Sequence, residues 1–561
     1  MLTMKKFALL LILLALLVAQ SNAAEPYKIN PNPPTDGRLG SNYTPAYTSS
    51  PIQFWHDFRP DVVEKELAAA KKYFGYSMLR VYLNFTNYTG EKEKLMKNVE
   101  TFIKIADRNG IQPGFVFFSG DNRAEGIITL DGPFDPRPGH HNGRWPCCPQ
   151  DNEWDEKEPN NFAKFKPYIE DFVKKYGQDK RVLFWEIHNE PGEGDERRKK
   201  LKTEAYHWAK ALKPIQPVLN CEKNGVWGNC EVSDIIDGHV YIAAWGFFNG
   251  IINQDPKKGT VFTEAGARWW ALARNHGEPT DIIDWLEKRK KADQSTPGVF
   301  LCWELMVSNS NCRFHWRDNG FRTGKPDREP EIPWCGMLWP DATPVALAES
   351  HACLKYATGK SPALFFDNFQ HPLQGWKTYG VKNPRCAHAI TVGHEQKAVA
   401  GDPKWKDYIL EARVLHTIHW PRRGVKETDH SAAKGPAEAG LLFRVNEPGE
   451  AYKDLRAYSV TFNSENKLVL GKFNKGTFKE LASYDLNKLP CRKNLKQWNQ
   501  IRVEGKGNKI KVYFDRYQGD KDKGLRIEYT DTDAPILSGA IGAISYKTDS
   551  LYDNVVVMPV E

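Results

Sequence analysis

A change in hydrophobic period near residue 360 constrains most what this chain can fold into. From about Gly40 to Ala357, short apolar runs alternate with amphipathic stretches of helical period. The runs Gly40–Thr44, Met78–Leu83, Gln112–Phe118, Val182–His188, Pro217–Asn220, Ile236–Tyr241, Thr260–Glu264 and Gly298–Glu304 have the length and composition of buried strands. Helices are expected over Pro60–Phe74, Lys92–Asn109, Asn161–Tyr176, Arg197–Leu212 and Asp281–Ala292, with the helices after strands five and six poorly marked. Eight strands interleaved with helices over roughly 330 residues point to a parallel (β/α)8 TIM barrel. Beyond Ala357-Thr358-Gly359-Lys360-Ser361-Pro362 the period becomes two, as in Tyr458–Phe462, Ile501–Val503 and Ile510–Phe514, the last pair joined through Lys506-Gly507-Asn508. That pattern is expected to form an antiparallel, jelly-roll-like β-sandwich. The predicted organisation is a leader over 1–24, a barrel over 25–357, a linker over 358–364 and a sandwich over 365–561.

Two glutamates close apolar runs in the barrel half: Glu190 in Trp185-Glu186-Ile187-His188-Asn189-Glu190-Pro191, and Glu264 in Val261-Phe262-Thr263-Glu264-Ala265-Gly266. By itself Asn-Glu-Pro also suits a helix start, with Pro191 in the first turn. At the ends of strands four and seven the two carboxylates would instead meet at the barrel mouth, where one acid can protonate a glycosidic oxygen while the other attacks the anomeric carbon. Arg80, a lone charge inside Met78-Leu79-Arg80-Val81-Tyr82, is a candidate to keep Glu264 ionised. His239 and Tyr241, two apart, point to one side of strand six, where the hydroxyl can bond the nucleophile and the imidazole can tune the acid or touch substrate. Trp303 suits the floor under a sugar ring, and Glu304 beside it reads as structural. The long Gly/Pro-rich stretch 120–159 is expected to shape the cleft, with substrate contacts from His141, Asn142 and Trp145.

The first residues read as an export signal: Lys5 and Lys6, an apolar run Phe7–Val18, and Ser21-Asn22-Ala23. A secreted or periplasmic protein is therefore expected, with no membrane span. The net charge of +8 is dispersed along the chain, which argues against nucleic-acid binding. Ten cysteines suit an oxidising compartment, and none has Cys-x-x-Cys spacing. Cys386 with Cys491 and Cys221 with Cys230 are candidate pairs, while adjacent Cys147 and Cys148 are expected to pair with different partners. No metal-ligand set, phosphate loop or Gly-x-Ser-x-Gly elbow is evident, so no metal or cofactor is expected. Asn42, Asn84 and Asn87 each head an Asn-x-Thr acceptor sequence.

Together these residues resemble the clan A glycoside hydrolases, and within them family 5-like secreted proteins related to cellulases and xylanases. The Gly-x-Asn-Tyr-x-Pro opening of that group stands here as Gly40-Ser41-Asn42-Tyr43-Thr44-Pro45. Its His-Asn-Ser-Gly-Trp loop stands in altered form at His141 to Trp145, with Gly143 where Ser is usual. The resemblance covers about 36–356. It implies a retaining enzyme in which Asn189 contacts the sugar 2-hydroxyl, Glu190 is acid/base and Glu264 nucleophile, with Arg80, His239, Tyr241 and Trp303 in supporting positions. Gly375-Trp376 and Tyr552-Asp553-Asn554-Val555 are similar to a concanavalin-like sandwich, a sugar-binding module or a brace for the barrel. The expected substrate is a plant- or microbe-derived polysaccharide or oligosaccharide with β-linkages, handled by a monomer. The alternatives are a non-catalytic carbohydrate-binding barrel and a transglycosylase.

Overall fold

The computed structural model describes residues 38–560 apart from 193–194, 222–231, 242–257, 269–277, 293, 295–297, 316–328, 374, 381–388, 417–434, 453 and 492–497. The leader, Cys230 and Cys386 therefore lie outside the described residues, and with them the two cysteine pairings that need Cys230 or Cys386.

Eight parallel strands form the first half: β1 (Leu39–Asn42), β2 (Met78–Tyr82), β3 (Gln112–Ser119), β4 (Trp185–Asn189), β5 (Val218–Cys221), β6 (Ile236–Val240), β7 (Thr260–Ala265) and β8 (Val299–Cys302). They pair in the order β5-β4-β3-β2-β1-β8-β7-β6. The remaining junction is bridged just before β6, where Asp234 exchanges bonds with Val218 through its backbone N–H (2.9 Å) and its carboxylate (2.8 Å). The barrel is thus nearly closed. Leu79, Val81, Trp185, Ile187 and Phe262 pack outward with the helices, whereas Met78, Leu219, Val261, Val299 and Leu301 join an inner cluster. A parallel sheet covered on both faces explains why these strands read as continuous apolar runs.

Local chemistry sets the helix boundaries. The expected helix Lys92–Asn109 begins earlier, at Phe85, because the Asn84 side chain accepts from Thr86 N. Non-helical Glu91 (φ −151°) kinks it, so the periodic pattern identified only the second segment. The expected helix Asn161–Tyr176 is a 3-10 turn followed by a helix from Lys166, where Pro167 occupies the first turn. Helix Leu347–Thr358 closes the barrel half and ends at left-handed Gly359.

The second half contains two antiparallel sheets. One runs β10-β12-β21-β14-β15-β16-β17, from β10 (Trp376–Tyr379) and β12 (Gln396–Ala400) through β21 (Ala540–Tyr546), β14 (Glu438–Glu447), β15 (Arg456–Asn463) and β16 (Lys467–Asn474) to β17 (Thr477–Asp485). The other runs β11-β22-β13-β18-β19-β20: β11 (Ile390–Val392), β22 (Ser550–Pro559), β13 (Tyr408–His416), β18 (Asn499–Lys506), β19 (Lys509–Phe514) and β20 (Leu525–Thr530), with β9 (Phe365–Asp367) also on β22. Leu410, Ala412, Leu441, Phe443, Val460, Val503 and Val512 belong to the core they enclose. The alternating apolar positions of this half are this sandwich interior.

One expectation about side chains is corrected here. Cys147 and Cys148 form no disulfide; both are buried thiols, and the Cys148 Sγ donates to Phe117 O and accepts from Phe85 N, each at 3.4 Å. Asn42, Asn84 and Asn87 are at most 1% exposed, so the folded chain offers none of the three as a glycan acceptor.

Candidate active site

β2 delivers Arg80 to the barrel axis, where its guanidinium organises the site. It donates to Glu186 through Nε (2.7 Å) and Nη2 (2.5 Å), to Asn189 Oδ1 through Nη2 (2.7 Å), and to Asn42 Oδ1 (2.9 Å) and Glu264 Oε1 (2.7 Å) through Nη1. Burial disfavours its charge, yet Glu186, Tyr82 and Glu264 outweigh that and hold Arg80 firmly protonated. One arginine thus ties together the ends of β1, β2, β4 and β7.

Glu264 is fixed by donors on both oxygens. Arg80 Nη1 and Tyr82 OH (3.0 Å) address Oε1, and Tyr241 OH addresses Oε2 at 2.6 Å. Burial, then the Glu264 charge, pushes the Tyr241 hydroxyl up, so it stays a donor. The backbone of β7 explains this aim. Asp237–His239 of β6 stands opposite Val261–Glu264, and Phe262–Ala265 opposite Phe300–Cys302, so β7 carries one extra residue against both neighbours. Such a bulge re-aims side chains beside a site, and here Thr263 bonds Asp237 while Glu264 reaches Arg80.

β4 carries a similar extra residue against β5, and Glu190 follows it with φ +43°. The helix-start alternative for Glu190 is not the local structure, since the next helix begins at Glu196 with Asp195 as its cap. His239 Nδ1 meets Glu190 Oε1 at 2.7 Å and Glu264 Oε2 at 3.4 Å. On the other side of the ring, Nε2 lies 3.2 Å from Thr263 Oγ1, whose proton goes to Asp237 Oδ2 at 2.6 Å. Thr263 must therefore accept from Nε2–H, which leaves one proton on the bond between His239 Nδ1 and Glu190 Oε1. Burial lowers the imidazole pKa, but Glu264 and Glu190 overcome it and raise it to about 9.

One carboxylate oxygen of Glu190, one of Glu264 and a ring nitrogen of His239 lie within 4.8 Å of one another. Cys221, Asp237 and His239 form a second close trio among the described residues. Asp237 is already bonded by Thr263 N (3.1 Å) and Thr263 Oγ1, and Glu264 by Arg80 and two tyrosines, so these donors serve protein partners.

Trp303 follows β8, with a cis peptide to Glu304. Its ring packs edge-on to Tyr82 (6.2 Å) and lies 5.8 Å from Trp145, beside Cys312, Trp334 and Cys335. Glu304 turns away into Ser308 Oγ (2.9 Å) and Ser310 Oγ (2.8 Å), and burial raises its carboxyl to about 7. The loop after β3 divides. Trp145 reaches the cleft cluster, while buried His141 bonds Phe314 O at 2.7 Å and stays neutral, lowered to about 4 by burial and Arg123. Asn142, in the left-handed region (φ +52°), accepts from Trp145 N through its carbonyl. His141 thus ties this loop to the segment after β8, while the Asn142 bond stays within the loop.

Sequence reasoning did not single out Glu186, Asn42 as an Arg80 ligand, Tyr82, Asp237 or Thr263. Glu186 was as legible as Arg80, since each is a charge inside an apolar run, and Tyr82 follows Arg80 at the spacing that links His239 to Tyr241. Asp121 and Arg123, an ion pair at 2.9 Å on the loop after β3, were also missed. Burial raises the Asp121 carboxyl; Arg123 opposes this and the Glu190 charge adds to it.

The fold and site define an eight-stranded parallel barrel that presents two carboxylates at the carboxyl ends of strands four and seven. No protein-family model matches the sequence, and no curated protein matches it. Among solved structures the chain is similar to a GH5_18 protein from Streptomyces cattleya in complex with GlcNAc (14% identity, 58% of this chain and 81% of that one, TM-score 0.38). It is also similar to the exo-β-1,4-mannosidase Op5Man5 from Opitutaceae bacterium strain TAV5 (12%, 57% and 59%, TM-score 0.40) and to the endo-β-1,4-mannanase from Thermotoga petrophila (12%, 86% and 98%, TM-score 0.36).

Proposed function

We propose that this chain is a secreted, monomeric retaining glycoside hydrolase that cleaves β-glycosidic bonds in a polysaccharide or oligosaccharide by double displacement. The observation that carries the reading is that one carboxylate oxygen of Glu190 and one of Glu264 lie within 4.8 Å of each other around a shared histidine. A retaining pair works at roughly 5–5.5 Å, whereas inversion needs roughly 6.5–9.5 Å to admit a water. Glu264 Oε2, on the His239 side, attacks the anomeric carbon as the bond to the leaving oxygen breaks. Arg80 and Tyr82 stabilise the negative charge that remains on Oε1. The leaving oxygen takes the proton held on the Glu190–His239 bond. Water then gives a proton back to Glu190, its oxygen bonds the anomeric carbon, and the bond to Glu264 breaks. Asn189, oriented by Arg80, faces the sugar 2-hydroxyl, and Trp303 and Trp145 supply the aromatic floor.

The test is a panel of β-glucan, mannan, xylan and galactan substrates with the first-formed anomer followed by NMR. The β-anomer is expected first, and a mechanism-based fluoroglycoside should label Glu264. Glu264→Ala is expected to lose at least about 10⁴-fold in kcat while keeping the wild-type fold by circular dichroism. An α-anomer appearing first would overturn retention. An unlabelled Glu264 with no product on any substrate would leave a sugar-binding barrel instead.

A further inference from the structure

The chemistry above makes no use of a buried charge network that crosses from barrel to sandwich. Arg268 lies four residues beyond Glu264, and Ala267 before it packs with Trp303, Trp334 and Cys335 in the wall of the cleft. Arg268 holds that wall through its backbone N–H to Trp334 O (2.9 Å) and through Nη1 to Gly336 O (2.8 Å) and Pro333 O (3.2 Å). Its Nε donates to Glu349 Oε1 at 2.7 Å, and its Nη2 pairs with Glu349 Oε2. Glu349 belongs to helix Leu347–Thr358. The same Oε1 accepts from Arg413 Nη2 at 2.9 Å, and Arg413 stands on β13 of the sandwich. Arg413 Nη1 pairs with Glu278, at the cap of helix Pro279–Lys291, and Glu278 also accepts from Asn554 Nδ2 of β22 at 3.0 Å.

Arg268, Glu278, Glu349 and Arg413 are each no more than 4% exposed, and their charges cancel. Two guanidiniums share one carboxylate, so the position of Arg268 depends on a cation supplied by the other half of the molecule. Removal of Arg413 leaves Glu278 and Glu349 with one cation between them in a dry seam. The stranded charge must draw in water or pull Arg268 from its carbonyl ligands.

We infer that Arg413 is a positioning residue: through Glu349 and Arg268 the sandwich holds residues 265–268 and 333–337 in register behind Glu264 and Trp303. As a statement about positioning it stands on geometry; its effect on turnover rests on the hydrolase reading. A change of about 1 Å at a reacting group is enough for roughly 10²-fold in rate.

The test compares full-length Arg413→Met and Arg413→Lys with Arg516→Met. Arg516 is a seam residue that bonds Thr343 Oγ1 (2.9 Å) and pairs with Asp341 (3.0 Å), but it is not part of the Arg268 network. Hydrogen exchange over 261–268 and 333–338 is expected to quicken at least about tenfold in Arg413→Met and less in Arg413→Lys, with Arg516→Met unchanged. On a substrate that the wild type cleaves, Arg413→Met should lose about 10- to 100-fold in kcat with KM within about twofold. Wild-type protection in those segments of a folded Arg413→Met protein, or equal loosening in Arg516→Met, would overturn the proposal. If Arg413→Met does not fold, Arg413→Lys decides, and unchanged exchange there has the same force. A wild type inactive on every glycoside would refute the hydrolase and leave the exchange result standing.

Discussion

At the scale of single residues, the site depends on two positions for opposite reasons, one for lacking a side chain and one for holding a proton. Gly120 N donates to Asn189 O at 2.8 Å, and a Cβ on Gly120 would lie 2.0 Å from Glu190 O and 2.9 Å from the carbonyl carbon of Pro191. Nothing flexible can yield there, so Gly120→Ala must move the peptide that carries Glu190. The expected loss is about 10²-fold in kcat with KM changed little, measured on the preferred substrate. His239 gives a pH signature. Its folded pKa of about 9 stands above the ordinary 6.5, so the stabilisation is complete below about pH 6.5 and is lost as pH rises through about 9. The difference is worth about 3 kcal/mol. Wild-type chemical denaturation should therefore weaken by about that much between pH 6.5 and 9.5, and the slope should flatten in His239→Asn. A wild type equally stable at both ends would sever His239 from its two carboxylates.

At the scale of elements, the seam is built from a strand and two helix starts. Glu411 and Arg413, two apart on β13, both turn to the barrel: Glu411 Oε1 accepts from Leu347 N at 2.6 Å, and Arg413 takes Glu349 and Glu278. Asp281 and Asp553 flank that arginine. Burial and then Glu278 push both carboxyls well up, with Arg413 opposing. A carboxyl raised in the folded state costs stability as pH climbs from its unfolded value, near 4, through its folded one. Asp553→Asn keeps an oxygen to accept from Asn554 N and removes the proton requirement. Its Tm should exceed wild type by about 2 °C at pH 8 and by less at pH 5. An equal shift at both pH values would mean that Asp553 does not titrate there. The elements themselves were largely legible, because period two, period 3.6 and apolar runs each follow from what a strand or helix must bury. The bulges of β4 and β7 were not, since an extra residue leaves no compositional mark, and they aim Glu190 and Glu264. His141 and Trp145 are four apart, yet one bonds a backbone carbonyl and the other joins the aromatic cluster around Trp303.

At the scale of the molecule, the change of period near residue 360 marks a change of architecture and not an independence of parts. Beyond the Arg413 network, Gln500 Nε2 bonds Val345 O at 2.9 Å, and Arg516 stacks over Trp339 with its guanidinium carbon 4.8 Å from the ring centre. A chain cut after Lys360 would keep Glu278, Asp281 and Glu349 but lose Arg413, and would open the N-terminus of helix Leu347–Thr358 that Glu411 now serves. Breaking a buried charge pair costs about 3–5 kcal/mol, a large share of the 5–15 kcal/mol that holds a typical protein together. The full chain should therefore unfold in one calorimetric transition. The fragment ending at Lys360 should be insoluble or melt at least about 10 °C lower. Two well-separated transitions, together with a fragment of wild-type kcat, would make the sandwich an appended module. One transition and a failed fragment would make it the outer wall of the catalytic barrel, with any sugar bound on the sandwich held in fixed relation to Glu190 and Glu264.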